Sequence, residues 1–430
     1  MVIVHCSRCG FRSDNYRGFY CPICGSLLDV IHDFKYKVNN KNTGIWIYES
    51  MLPSFKHRVT LGEGSTPLIE SCRIFRETVF FKDEGRNPTG SFRDRAAALI
   101  VSDALDLGVK RLVLASDGNM GASIAAYGAR TGLPVTVYVP PWTDHEKIVL
   151  MKAYGANVLI HDKSLDKLLK LVDRRSRDGY YNASSTYNIL SIEGLKTIVL
   201  EILYQLGKTP RTIVLPLGSG LTLLSLYHGF HELLKNNIVS NIPRFIGVET
   251  CGNPIYSSIT RGISRCGEEP LPGLSYSKPL IMENVMEIIE RYGETLVVNR
   301  RKVVDAAREL ARSEGLFVEP SSAVALAGAL EIGLEDYTII LLTGHGLKGP
   351  SVYSRASKAR STTLFPGSTK KLILDLLREK PGLTGYEIWK LLGLKISVQA
   401  IYQHLHELVN RGYLIVREDE GLKKYYLKSI

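Results

Sequence analysis

The sequence is short of several things, and each shortage narrows the function. Among 430 residues no run of about 18 apolar residues occurs, which excludes a membrane-spanning helix of ordinary length. The start, MVIVHCSRCG, lacks the charged-then-apolar layout of a secretory signal. Together these predict a cytoplasmic protein with no membrane partner. No internal repeat is evident. Only seven cysteines are present, and the charged share is 23% against 45% apolar, so neither a disulfide-built miniprotein nor a disordered chain fits. Acidic residues are outnumbered, 43 to 54, for a net charge of +11. That excess favours a polyanion at some surface without naming it.

Four of the seven cysteines form two C-x-x-C pairs, Cys6/Cys9 and Cys21/Cys24, each followed by a glycine, Gly10 or Gly25. Such knuckles place four thiolates around one tetrahedral ion. Two disulfides or four free thiols are the alternatives; a reducing compartment disfavours the first. Four thiolates leave no open coordination position, so the predicted zinc is structural. Cys72, Cys251 and Cys266 stand alone in sequence and read as packing or surface thiols.

From about residue 60 to 345, short β-rich runs (TVFFKDE, RLVLAS, PVTVYVP, RTIVLPLG, PRFIGVET, YTIILLTG) alternate with helical stretches. This predicts an α/β fold with a mostly parallel sheet covered by helices. Ligands of such folds gather at the carboxyl ends of the strands, where NPTGS, SDGN, GSG and TGHG sit. The domain boundaries read as 1–35 for a zinc ribbon, 36–350 for the α/β domain, 351–368 for a basic Ser/Thr-rich linker and 369–430 for a third module.

In that third module KKLILDLLREK ends at Pro381-Gly382, and Thr384 with Glu387 makes a capping box. Ser397 caps another helix, and a basic hairpin follows Gly412. Residues 367–430 hold eleven basic and seven acidic residues. The layout resembles the PadR-like winged helix-turn-helix families. That resemblance places Ser397, Gln399, Gln403 and His404 at the DNA-reading helix, and Arg417, Lys423 and Lys424 on a wing over backbone phosphates of double-stranded DNA. A protein–protein adaptor is the alternative. Tyr386, Trp389, Tyr402 and Tyr413 are assigned to the core.

The loops LGEGSTPL, FKDEGRNPTGSFRDR, ASDGNMGAS, PLGSG, EPSSAVALAG and LLTGHGLK, in this order, resemble threonine synthase and the wider fold-type II (tryptophan synthase β-like) pyridoxal-phosphate family. The resemblance covers about residues 1–350, zinc ribbon included. It implies that Asn119 bonds the phenolic oxygen of pyridoxal phosphate. Gly218, Ser219, Gly220, Leu221 and Thr222 would cradle its phosphate, and Thr343 its pyridine nitrogen. Ser116, Asp117, Gly118 and Met120 form the substrate loop.

The departures carry weight. The family lysine that joins the cofactor as a Schiff base is Arg93 here, and a guanidinium is neither a nucleophile nor a usable base. Asp117 repels a substrate carboxylate, although diaminopropionate ammonia-lyases also have Asp there. Ser191 replaces an arginine that grips a substrate phosphate, and Leu221 replaces a usual glycine. These changes predict no catalytic residue and a non-covalent ligand: pyridoxal phosphate, its amino-acid adduct or a phosphorylated metabolite, with Arg93 as a charged anchor. The leading expectation is a DNA-binding transcriptional regulator, a homodimer sensing a small anion. The alternative is an active threonine synthase or related lyase with an appended regulatory domain, Lys82 or Lys348 standing in for the missing lysine. A third reading is a pseudoenzyme scaffold that binds a true threonine synthase.

Overall fold

The computed structural model describes residues 2–176, 180–350, 353, 368–393, 397–419 and 422–428. It divides into two compact units, residues 1–353 and 354–430. All but one residue of the predicted linker, 351–368, lies outside what can be described in full; only Tyr353 is placed with its side chain, its hydroxyl donating to the Val318 carbonyl (2.5 Å).

The first unit opens with three short antiparallel strands, ordered Arg12–Ser13, Ile3–His5, Asp29–Ile31. Two larger sheets follow. One has six strands in the order Gly293–Val298, Arg244–Thr250, Thr212–Pro216, Thr338–Leu342, Val79–Asp83, Leu68–Glu70. All pair in parallel except Leu68–Glu70 at the edge. The other is a four-stranded parallel sheet, Asn157–Ile160, Val135–Val139, Leu112–Ala115, Tyr181–Asn182. Thr212–Pro216, Thr338–Leu342 and Leu112–Ala115 are buried along their whole lengths, as strands covered on both faces must be. The helices differ in depth: Leu190–Leu206 is buried on every side from Leu190 to Leu203, whereas outer helices bury one stripe. Arg300–Ser313, for example, buries Val303, Ala306, Ala307 and Leu310, the spacing of one helical face.

Cys251 and Cys266 correct the reading of isolated thiols. They form a disulfide with Cα atoms 5.3 Å apart. The helix Ile255–Arg261 turns the chain back between them, and the Cys266 N–H donates to the Cys251 carbonyl at 2.8 Å.

In the second unit the helices are Ser368–Glu379, Gly385–Leu392 and Val398–Asn410. An antiparallel sheet orders Leu383–Thr384, Leu422–Leu427, Leu414–Asp419. The Thr384/Glu387 capping box is formed, and Ser397 accepts from the Ala400 N–H. Ile373, Leu377, Ile388, Ile401, Leu405 and Leu408 make the core. The aromatic assignment needs correction. Tyr386, Tyr402 and Tyr413 are exposed, because the aliphatic residues already fill this small core. Tyr402 instead lies on Gly385, where a Cβ would come within 2.5 Å of its ring.

A buried charge network holds the larger unit together. Arg95 gives Nε and Nη2 to the two oxygens of Glu84 (2.7 Å each) and Nη1 to Glu201 (2.9 Å). Lys82 Nζ reaches the other Glu201 oxygen at 2.7 Å. None of the four side chains is more than 2% exposed. Removing one partner leaves a buried charge uncompensated, so Glu201→Gln should cost about 3 kcal/mol in urea unfolding. Burial pushes the Glu201 carboxyl up, but the Arg95 and Lys82 charges outweigh it and hold it at about 2, below its ordinary 4.5. A carboxylate depressed in the fold stabilises above its ordinary range. Parent stability should therefore fall as pH drops from 4.5 towards 2, and Glu201→Gln should flatten that decline.

Candidate active site

One cavity takes in most of the residues singled out by the loop set. Its wall includes Arg93, Ser116, Asp117, Asn119, Met120, Gly218, Ser219, Gly220, Thr222 and Thr343. Strand ends supply these groups, as the fold rule requires. Asn119 opens the helix Asn119–Thr131 after the strand Leu112–Ala115. The Gly218–Gly220 turn links the strand Thr212–Pro216 to the helix Leu221–Lys235. Thr343 follows the strand Thr338–Leu342.

Arg93 begins the helix Arg93–Asp106. Its turn is pinned to the Thr343 segment: the Phe92 N–H donates to the Thr343 carbonyl (3.1 Å) and the His345 N–H to the Gly90 carbonyl (2.9 Å). The guanidinium sits over the Phe92 ring, 4.5 Å from its centroid. Its Nη1 and the Asn119 Oδ1 are buried with no hydrogen-bond partner among the described residues. Two unsatisfied polar atoms, a donor and an acceptor, on one cavity wall call for a polar ligand. Gly220 has φ of +82°, and a Cβ there would come within 2.5 Å of Val285 Cγ2. The turn therefore demands glycine. It also directs backbone N–H groups ahead of a helix N-terminus, an arrangement suited to phosphate. With Asn119 and Thr343 on the same wall, the donor set fits pyridoxal phosphate. Arg93 adds a second positive group, and no covalent link can come from it.

Two predicted wall positions lie off the cavity, and a third, Asp117, stays on the wall in another role. Leu221 is fully buried in the core, and its N–H donates to the Ser219 Oγ (3.4 Å). Gly118 is covered: a Cβ there would meet Lys147 Cδ at 2.5 Å. Asp117 is a latch, not a free carboxylate. Its Oδ2 accepts from the Gly273 N–H and the Ser275 hydroxyl, both at 2.9 Å. These belong to the segment that also puts Leu274 and Tyr276 on the wall. Asn253 clamps the same segment, its Nδ2 donating to the Leu274 and Tyr276 carbonyls (2.8 Å each).

Ser191 is fully buried, its Oγ without a partner among the described residues, and lies off the wall. Neither predicted stand-in lysine is on the wall either. Lys82 Nζ serves Glu201, Gln205 and the Thr66 carbonyl at 2.7–2.8 Å. Lys348 Nζ donates to the Thr89 carbonyl (2.7 Å).

Lys147, Glu319 and Tyr276 are wall residues that sequence reasoning missed. Glu319 stands in the EPSSAVALAG loop and its context could have flagged it; Lys147 and Tyr276 carry no local signal. Glu319 accepts from Asn119 Nδ2 at 2.5 Å and lies 3.2 Å from Lys147 Nζ. Burial pushes its carboxyl up, but the Lys147 and Lys348 charges, with the Asn119 hydrogen bond, hold it below the usual range.

Elsewhere, Cys6, Cys9, Cys21 and Cys24 bring their four Sγ atoms within 4.8 Å of one another. Gly10 and Gly25, at φ of +76° and +72°, turn the two knuckles. In the second unit Gln399, Gln403, Arg417 and Lys423 are exposed. His404 and Lys424 are half-buried, Lys424 pairing with Asp419 at 2.7 Å, and Arg417 lies over the Tyr426 ring. Among the described residues no helix is long and apolar enough to cross a membrane.

Comparison with known proteins gives this geometry a context. The family described as "Pyridoxal-phosphate dependent enzyme" matches residues 59–344. The threonine synthase of Methanosarcina acetivorans is 33% identical over 380 residues, covering 81% of this chain and 93% of the relative. That of Methanocaldococcus jannaschii is 31% identical over 390 residues, covering 83% and 95%. Among solved structures, an O-ureido-L-serine synthase mutant with O-ureido-L-serine bound aligns with TM-score 0.58 at 22% identity, over 72% of this chain and 96% of that one. Maize serine racemase aligns with TM-score 0.54 at 22% identity, over 68% and 92%. These two speak for the fold.

The relatives overturn the leading functional expectation. Both threonine synthases are enzymes matched over most of their length, so a transcriptional regulator with DNA binding as its main function, built on an inert pseudoenzyme, is set aside. The enzyme reading fits better. The chain belongs to the pyridoxal-phosphate dependent enzymes, with threonine synthases among its relatives.

Proposed function

We propose that this chain is a pyridoxal-phosphate-dependent enzyme of the threonine synthase type, acting on a small amino acid. The observation that carries the reading is the match to threonine synthases over more than four fifths of the chain. The cavity supports it. Gly218, Ser219, Gly220 and Thr222 would hold the cofactor phosphate, Asn119 its phenolic oxygen and Thr343 its ring nitrogen. Bound there, the cofactor supplies an electron sink for charge at the substrate's α-carbon. The chain's own groups do the rest. Arg93 balances anionic charge without exchanging protons. The Asp117 latch closes the Gly273–Tyr276 segment over the cavity and limits water. Glu319 orients Asn119.

The protein loaded with pyridoxal phosphate should release threonine and phosphate from a phosphorylated amino-acid substrate, or ammonia from a hydroxy- or diamino acid. Gly220→Ala should abolish turnover by displacing the phosphate turn. Cofactor binding without any of these products across the series would defeat the proposal.

Two modules accompany the enzyme in this reading. The four gathered thiols support a structural zinc ribbon: thiolate sulfur is the ligand zinc favours, and four of them leave no site for chemistry. Metal analysis should find one zinc per chain, and Cys21→Ser should lose it together with thermal stability. The three helices and hairpin of the second unit support a winged helix, an appended module with double-stranded DNA as its proposed partner; a second copy of the chain is proposed as the other. Fluorescence anisotropy should show DNA affinity falling steeply with salt. Lys423→Ala with Lys424→Ala should weaken it and flatten the salt slope, and parent-like binding would remove DNA from the reading.

A further inference from the structure

A cofactor-dependent enzyme of this family needs an amine at the cavity, and the position that the resemblance gives to that amine holds Arg93. Four lysines are buried among the described residues, and their surroundings separate them. Lys196 is held by Glu193 and Glu232 at 2.7 Å each and lies off the wall. Lys82 is committed to the Glu201 network and lies off the wall. Lys348 is buried, which lowers its amine to about 8, but its Nζ is turned to the Thr89 carbonyl and it is also off the wall. Among the described residues, Lys147 is the one lysine on the wall.

The placement of Lys147 is specific. It lies in the first turn of the helix His145–Ala153, and its side chain is 4% exposed. Its stem crosses the bare face of Gly118, a residue held at φ of +157°. Any side chain at 118 would block that path. The stem therefore reaches in next to Asn119. Its Nζ ends 3.2 Å from Glu319 Oε2, while Glu319 Oε1 accepts from Asn119 Nδ2 at 2.5 Å. Asp144 Oδ2 stands 3.1 Å away on the same helix turn. Glu319 and Asp117 act on both the Lys147 and the Arg93 charges, so the two cations share one set of carboxylates.

We propose that Lys147 is the amine through which this enzyme holds its aldehyde cofactor, with Arg93 keeping a positive charge at the position that the resemblance gives to a lysine. The inference rests on the pyridoxal-phosphate-dependent reading above. The bond is a condensation with no change of oxidation state. The Lys147 ammonium gives one proton to solvent base, because the same pairing that raises Lys147 holds Glu319 below its ordinary range. The freed lone pair attacks the aldehyde carbon, so an N–C bond forms and the carbonyl π pair moves to oxygen. A second nitrogen proton passes to that oxygen, a solvent proton replaces the first, and the C–O bond breaks to release water. One proton stays on the imine nitrogen, and its charge keeps Glu319 as counter-ion. Burial works against the ammonium, but Glu319, Asp144 and Asp117 outweigh it and keep the free Lys147 protonated above its ordinary range. Attachment therefore speeds up as pH rises.

The test is a borohydride trap on the full chain. The protein is incubated with one equivalent of pyridoxal phosphate, its visible spectrum recorded, and the reduced product digested and mapped by mass spectrometry. We expect a reducible absorption band and Lys147 as the dominant labelled residue. Lys147→Met and Lys147→Arg should both lose band and label, yet still bind the cofactor in equilibrium dialysis and keep the parent circular dichroism spectrum. Arg93→Lys placed on Lys147→Met should bring a label back, at position 93. A label on Lys348 or Lys82, or saturable binding in the parent with no reducible adduct, overturns the Lys147 assignment and leaves the enzyme reading standing. No cofactor binding by the parent overturns both.

Discussion

The position of the candidate site depends on Arg95. Its guanidinium is shared between Glu84, just past the strand Val79–Asp83, and Glu201, in the helix Leu190–Leu206, with Lys82 completing the set. Two positive and two negative groups cancel, which is what makes their full burial tolerable. Arg93 precedes Arg95 by two residues in the same helix. At about 100° per residue the two side chains leave on well-separated faces: one is locked into the network and the other reaches the cavity. The geometry of the cavity wall is thus inherited from a charge cluster with no chemistry of its own.

A second constraint acts from the opposite side. The segment Gly273–Tyr276 has no regular secondary structure, yet it lines the cavity. It is fixed at both ends of its polar span, by Asp117 from one sheet and by Asn253 from the other. Asn253 lies two residues after Cys251, whose disulfide to Cys266 fixes the start of the same excursion. Irregular backbone needs this kind of outside help, because a loop has no internal ladder to satisfy its polar groups.

Much of the fold could be read from the chain because parallel strands announce themselves. Runs such as TIVLP and TIILL are apolar throughout, and their glycine-rich exits mark where ligands gather. The cofactor-type residues Asn119, Ser219 and Thr343 could be named because the loops at those exits resemble the motifs of the pyridoxal-phosphate family. Lys147 could not be found this way. It comes from a helix one connection later and reaches the wall only because Gly118 leaves a channel, a relation that no local pattern encodes. Cys251 and Cys266 escaped for a similar reason, since their approach depends on the intervening helix. The functional error had another origin. Arg93 by itself reads as the loss of an activity, whereas a wall without a lysine at that position can still offer an amine from elsewhere.

The helix carrying Arg93 is seated unusually closely on its neighbour. At Gly194 a Cβ would lie 2.5 Å from the Arg95 carbonyl and 2.7 Å from Ala96 Cα, so the two helices touch backbone to backbone at the first turn. The seat is set by main chain and by Arg95, and the side chain at 93 takes no part in making it. Arginine and lysine codons can differ by a single base. Exchange at this position is therefore short in genetic distance and leaves the seat of the helix in place, so chemistry at 93 can change without a change of scaffold.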